Sequence, residues 1–102
     1  MFIATNRFRV TTGCEFDFEE LWRMRDTRFG SVPGFLGFHL LRGPETEDHT
    51  LFSSQVVWAS HTAFEDWIRS EAFRVSHLDT GNHRGLHLGK PRFEGFDVVL
   101  SR

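Results

Sequence analysis

Three residues of this chain could do chemistry together if the fold brought them to one pocket: Asn6, Trp67 and His77. Asn6 lies on the apolar side of an alternating segment, between Ala4 and Phe8. A buried amide without partners costs roughly 1–3 kcal/mol, so something should satisfy it. A hydrogen bond to neighbouring backbone would serve, and so would a ligand that receives the amide NH₂. His77 falls one turn beyond Phe73, near the end of a helical segment and just before a long loop. A neutral imidazole there can ligate haem iron; the plainer reading is a surface histidine favoured by the helix dipole. The Trp67 indole is expected to face the sheet beside Phe64 and Ile68, where core packing alone explains an isolated tryptophan.

The remaining candidates carry weaker signals. His83 and His87 stand at i,i+4 in a glycine-punctuated loop over 78–91, a spacing open to a metal pair. No Glu-His pattern accompanies them, so a loop over the pocket mouth is the expected reading. His39, His49 and His61 show no evident partners, and Arg84 reads as a solvated loop arginine although it could reach an anionic group. Cys14 is the only cysteine, which excludes an intrachain disulfide and a thiolate metal cluster and suits a reducing cytosol. It is expected to be an inert helix-start residue.

These residues need elements to hold them. Residues 2–10 alternate, with Phe2, Ala4, Phe8 and Val10 on one side and Thr5, Arg7 and Arg9 on the other, as in a half-buried strand. Thr11-Thr12-Gly13 breaks it, and Phe18, Leu21, Trp22, Arg25 and Phe29 recur at helical spacing over 14–29. Strands over 35–42 and 50–58 flank a turn at Gly43-Pro44 and its acidic continuation, forming a hairpin. Ser60 or Thr62 caps a helix over 61–77, and a last strand runs over 92–100. The order predicts an α+β, ferredoxin-like β-α-β-β-α-β fold with an antiparallel sheet, in one domain spanning 1–102. Apolar residues on both sides of the third strand (Phe52, Val56 and Trp58 against Leu51 and Val57) predict a homodimer whose sheets meet as a dimeric β-barrel.

Composition narrows the function. Twelve Phe and three Trp with no Tyr give large apolar rings, which suit a planar ligand or simply a tightly packed core. Lys and Arg total 12 against 14 acidic residues, with no basic stripe, so nucleic acid is not an expected partner. No segment has the length and apolarity of a membrane span and the N-terminus does not read as a leader, so no membrane association and a cytoplasmic address are expected.

The opening MFIATNRF, the pair Val57-Trp58 and the segment FEDWIRSEAFRVSH over 64–77 resemble the IsdG-type haem-degrading monooxygenases of the antibiotic-biosynthesis-monooxygenase-like superfamily. The likeness covers nearly the whole chain, including the Gly13 helix entry and the Pro33-Gly34-Phe35 strand entry; its specificity lies in Asn6, Trp67 and His77 occurring together. The resemblance implies that haem is both substrate and cofactor, with His77 as proximal iron ligand. It implies that Asn6 donates to the distal oxygen ligand and that Trp67 presses on the porphyrin and ruffles it. Trp22 and Arg25 match an aromatic residue and an arginine beside the haem, and Phe64 and Phe73 fall at the same pocket. O₂ and an external reductant, either a reductase or a small molecule, would complete the reaction to an open-chain bilin with release of iron. Two other readings stay open: a non-enzymatic haem-binding or trafficking protein, and a cofactor-independent monooxygenase of a polyketide or quinol.

Overall fold

The computed structural model describes residues 1–25, 29–76 and 85–102. Alternation along the first residues produces β1 (Phe2–Thr11), with Phe2, Ala4, Phe8 and Val10 buried and Arg7 and Arg9 exposed. The chain then turns into α1 (Glu15–Met24) with Cys14 at its N-cap. A short 3-10 turn, Phe29–Ser31, leads to β2 (Phe35–Glu45), β3 (His49–Trp58), α2 (His61–Ile68), α3 (Glu71–Ser76) and β4 (His87–Asp97). The four strands form one sheet in the order β2-β3-β1-β4, antiparallel at every pairing. With α2 and α3 taken as one broken helix, this is the ferredoxin-like β-α-β-β-α-β arrangement. The sheet is open, with β2 and β4 as edges, so a single chain closes no barrel.

The helices cover one face of the sheet and divide its core in two. Beneath α2, Phe2, Ala4, Trp58 and Trp67 pack together, supported by Phe35, Phe64 and Phe73. Beneath α1, Phe8, Val10, Phe18 and Phe52 pack with Trp22 and Leu40 at their margin. Between the two clusters lies the rung where Asn6 of β1 pairs with Ser54 of β3. The strand periodicity thus sets a polar rung at the gap between two aromatic cores.

Four element boundaries differ from the sequence expectation. The second strand runs on through Gly43-Pro44, read as a turn, to Glu45, with a register shift between Arg42 and Glu45 that accommodates them at the sheet edge. The first helix stops at Met24 rather than running to 29, because Arg25 adopts an extended backbone (φ −77°, ψ 128°). The helix expected over 61–77 is interrupted after Ile68, where the Ser70 hydroxyl donates to the Trp67 carbonyl (2.6 Å) and accepts from the Phe73 N–H (3.1 Å). A serine that bonds its local backbone ends one helix and caps the next. The last strand begins at His87, inside the segment read as loop, and ends at Asp97. Glycine punctuation there marks a β-bulge, a register shift opposite Arg7 and Arg9, with Gly89 at φ +66°. Pro91 is tolerated because β4 is an edge.

Gly34 fixes how α2 meets the sheet. Its φ is +82°, and a Cβ at that position would sit 2.5 Å from the Ala63 Cβ. Only glycine serves both the turn and the close approach. Among the described residues no helix is long and apolar enough to cross a membrane.

Candidate functional site

A cleft of about 200 Å³ opens on the helix face over the Asn6–Ser54 rung. Ala4 and Asn6 form its floor with Ser54 and Val56; Trp22, Phe38, Phe64, Trp67, Phe73 and Phe93 supply its aromatic walls. Asn6 is half-buried there, and its side-chain amide makes no hydrogen bond among the described residues. The backbone alternation that buries Ala4 and Phe8 turns this amide the same way.

Trp67 is held by α2, whose N-terminus is set by Ser60: its hydroxyl accepts from the Ala63 N–H at 3.0 Å. The Trp67 ring is only 5% exposed, packed 6.0 Å from Trp58 and edge-on at 5.6 Å from Phe73. The break at Ser70 permits that last contact, since it brings α3 back over the Trp67 ring. The expected neighbours of Trp67 are thus partly replaced: Ile68 lines the cleft but is 39% exposed.

Trp22 and Arg25 approach from α1. Trp22 stacks on Phe38 at 5.6 Å, and the Arg25 guanidinium lies 4.9 Å over the Trp22 ring, a cation–π contact. The start of α1 is tied to the sheet by Glu15, which accepts from the Thr50 hydroxyl at 2.9 Å and the Gly13 N–H at 2.8 Å. Its own backbone N–H, then the Thr50 hydroxyl, hold the carboxyl below its ordinary value of 4.5. A carboxylate in the first turn also complements the helix dipole.

Phe64 and Phe93 close the β4 side of the cleft as a stacked pair, 5.6 Å apart and 11° from parallel. Sequence reading missed Phe93, Phe38 and Ser54. Each becomes a wall or floor residue through strand register, for Phe93 pairs with Asn6 and Phe38 with Val56. The available signal was a pair of phenylalanines in each strand, Phe35 and Phe38 in β2 and Phe93 and Phe96 in β4; their three-residue spacing assigns no common face until the register is known.

Asn6, Trp22, Arg25, Phe64, Trp67 and Phe73 therefore come together around one cleft. His77, His83 and Arg84 lie outside the described residues. His87 is in β4, not in a loop: its Nδ1 lies 2.9 Å from the Gly89 carbonyl and its ring packs 5.4 Å from Phe8. Among the described residues no group of three or more His, Cys, Asp or Glu could hold a metal ion. His49 and His61, read as unpartnered, face Asp48 (2.7 Å) and Glu65 (3.1 Å) respectively. Cys14 is partly buried beside the α1 core.

The fold has counterparts. A model of the antibiotic biosynthesis monooxygenase family matches residues 1–77, and the chain belongs to that family. It is 35% identical over 78 residues to a staphylobilin-producing heme oxygenase of Staphylococcus aureus (strain Newman), covering 74% of this chain and 70% of that protein. The solved heme-degrader MhuD of Mycobacterium tuberculosis, with two hemes bound in its active site, aligns over all of this chain and 99% of its own. That pair has a TM-score of 0.72 and 27% identity. SnoaB, a cofactor-independent oxygenase from Streptomyces nogalater, shares the fold at a TM-score of 0.68 and 23% identity, over 98% of this chain and 94% of its own.

Proposed function

We propose that this protein is a haem-degrading monooxygenase, opening the porphyrin of bound haem to a bilin and releasing its iron. The observation that carries the reading is the Asn6 amide, without a hydrogen bond among the described residues, on the floor of a cleft walled by aromatic rings. The donor set fits the group: apolar rings for a planar macrocycle, one neutral amide, and the Arg25 side chain lining the same cleft for an anionic substituent. The family, together with the haem-degrading relatives, supports it.

Bound haem supplies oxygen activation and is itself the substrate; the chain supplies orientation and electrostatics. Asn6 offers an N–H without presenting a strong acid. Trp67 is seated rigidly by Trp58 and Phe73, so its ring is a fixed shoulder that would press on a bound macrocycle. Trp22, Phe64 and Phe73 exclude water from the cleft. His77, which follows α3 directly in sequence, would hold the haem iron. Electrons would come from a separate reductase or a small-molecule reductant.

The cleft is smaller than the roughly 300–1,000 Å³ typical of drug-sized ligands. A whole macrocycle would therefore have to part the Phe64–Phe93 stack. The same small volume favours a second reading, a cofactor-independent monooxygenase of a smaller aromatic substrate. Titrating haem while following the Soret band, then adding reductant under oxygen, decides between them. Saturable binding with loss of the Soret band and release of iron supports the proposal. Absence of binding favours the second reading, and binding without turnover reduces the protein to a haem carrier. His77→Ala should shift the ferric spectrum and abolish turnover; an unchanged spectrum would move the ligand elsewhere.

The remaining parts of the reading are a homodimer and a cytoplasmic address. The sheet face away from the helices carries Ile3, Val57 and Phe96 side by side, with Phe96 51% exposed. A second copy covering that patch would bring the two open sheets together as a barrel. Light scattering should give about twice the 11.9 kDa chain mass.

A further inference from the structure

The helix face of β3 buries two hydroxyl groups, and the fold treats them differently. Thr50 and Ser54 are the buried polar residues among those described, 0% and 4% exposed. The Thr50 hydroxyl donates to Glu15 Oε2 at 2.9 Å, the bond that ties the start of α1 to the sheet. The Ser54 hydroxyl makes no hydrogen bond among the described residues; its backbone carbonyl alone takes part in one, accepting from the Ser53 hydroxyl at 3.4 Å. A buried hydroxyl without a partner opposes folding, and a strand position facing an apolar core is better filled by a residue such as Val or Phe. The neighbours of Ser54 on that side, Phe52 and Val56, follow the rule.

The place of the exception is informative. Ser54 stands directly opposite Asn6, in a rung that reads Leu40, Ser54, Asn6 and Phe93 across the four strands. Opposed residues of antiparallel strands have Cβ atoms about 4.5–5.5 Å apart on one face, so a hydroxyl and an amide there can reach a single atom. Both side chains line the aromatic cleft. Among the described residues neither has a hydrogen bond, to the other or elsewhere.

On both sides of this rung the floor turns apolar at once, with Ala4 opposite Val56 and Phe8 opposite Phe52. The polar pair is therefore one point on an apolar surface. Such a floor selects a flat apolar ligand that carries a compact acceptor away from its rim, and it leaves a ligand without that acceptor facing two unpaired groups.

We propose that Ser54 is the second hydrogen-bond donor of this cleft, its hydroxyl acting with the Asn6 amide on one small anion carried by bound haem. The inference rests on the haem reading and adds to it a specificity-determining residue. Two neutral donors hold an anion through charge-assisted bonds and, being very weak acids, leave it unprotonated. The hydroxyl destabilises the ligand-free protein and is satisfied only when the cleft is filled, which explains why an apolar residue does not stand at position 54.

The test uses the full chain. Ser54→Thr and Ser54→Val introduce side chains of one shape that differ in the hydroxyl, so the pair isolates that group. Without ligand, Ser54→Val should melt above Ser54→Thr by about 4–8 °C, because it lacks the unsatisfied group. With ferric haem loaded and cyanide as probe, the order should reverse. Soret titration should give a cyanide dissociation constant about tenfold weaker in Ser54→Val than in Ser54→Thr. Ser54→Ala, which adds no bulk, should bind cyanide as weakly as Ser54→Val. A ligand-free Ser54→Val that melts at or below Ser54→Thr would overturn the proposal, since the hydroxyl would then be satisfied within the fold. Equal cyanide affinities in the two variants, with haem bound, would overturn it alone and leave the haem reading standing. A wild type that binds no haem would overturn both.

Discussion

The two faces of β1 differ in how they treat polar groups. Toward the helices, one amide, Asn6, stands among Phe2, Ala4, Phe8 and Val10, and the cost of its burial is kept small by a cleft at its tip. Toward the open face, Thr5, Arg7 and Arg9 stand where charge is cheap to hydrate, and the sheet tolerates an Arg7–Arg92 rung. One strand with period two therefore carries a sparse polar site and a dense one. A polar group on the helix face needs a reason to exist, whereas on the open face only an excess of one sign does.

The contrast can be broken most strongly at Asn6. If the amide acts on bound substrate, Asn6→Ala should still bind haem and lose degradation by roughly 10²–10³-fold in single-turnover rate, the range for removing one positioned donor. Wild-type turnover in that variant would make Asn6 structural. Trp67 tests whether the helix face is core or tool. Trp67→Ala should lower stability by about 3–5 kcal/mol in denaturant melts, because a ring buried against Trp58 and Phe73 leaves a cavity. Trp67→Phe should recover much of that stability while flattening the bound haem in resonance Raman spectra and slowing degradation. Undiminished turnover with a flat haem would leave Trp67 as core alone.

A smaller effect is expected at Phe93. If the Phe64–Phe93 stack must part for a planar ligand, Phe93→Ala should raise the haem association rate several-fold in stopped flow with little loss of stability, since Phe93 is 52% exposed. A slower association would show the stack to be part of the binding surface. The smallest effect is at Glu15. Its folded-state pKa is depressed, so its stabilisation is present above 4.5 and is lost as pH falls through the lower folded value. Melting temperature should drop on acidification below that point, and Glu15→Gln should flatten this part of the profile. Parallel profiles for the two proteins would assign the acid sensitivity to other carboxylates.

Much of this architecture was legible because its signals are local. The alternation in β1 and β3 needs only neighbouring residues, and it correctly set Asn6 inward and Arg7 and Arg9 outward. Helical spacing sets Phe64 and Trp67 on one face, whereas Trp22 and Phe73 come to the same pocket only through the family resemblance. What escaped depends on register or on competing hydrogen bonds. Phe93 stands opposite Asn6 because β4 shifts its register by two residues at a bulge, and that shift was hidden in a segment read as loop from its glycines. Ser70 passes unnoticed in a helical pattern until its hydroxyl is seen taking the place of the next backbone bond.

That serine has a consequence for cooperativity. It leaves α3 (Glu71–Ser76) as an independent stretch of six residues, too short to be stable alone in water. Among the described side chains its anchors are the Ser70 cap, the Phe73 ring against Trp67, and an exposed Arg74–Glu71 pair that contributes little. The segment leading to residue 77 should therefore open as a unit of its own, with a free energy well below that of global unfolding. Amide hydrogen exchange in α3 should be far faster than in β1 or β3, and occupation of the aromatic cleft should slow it selectively. The protein would then gain its last increment of native structure from its ligand.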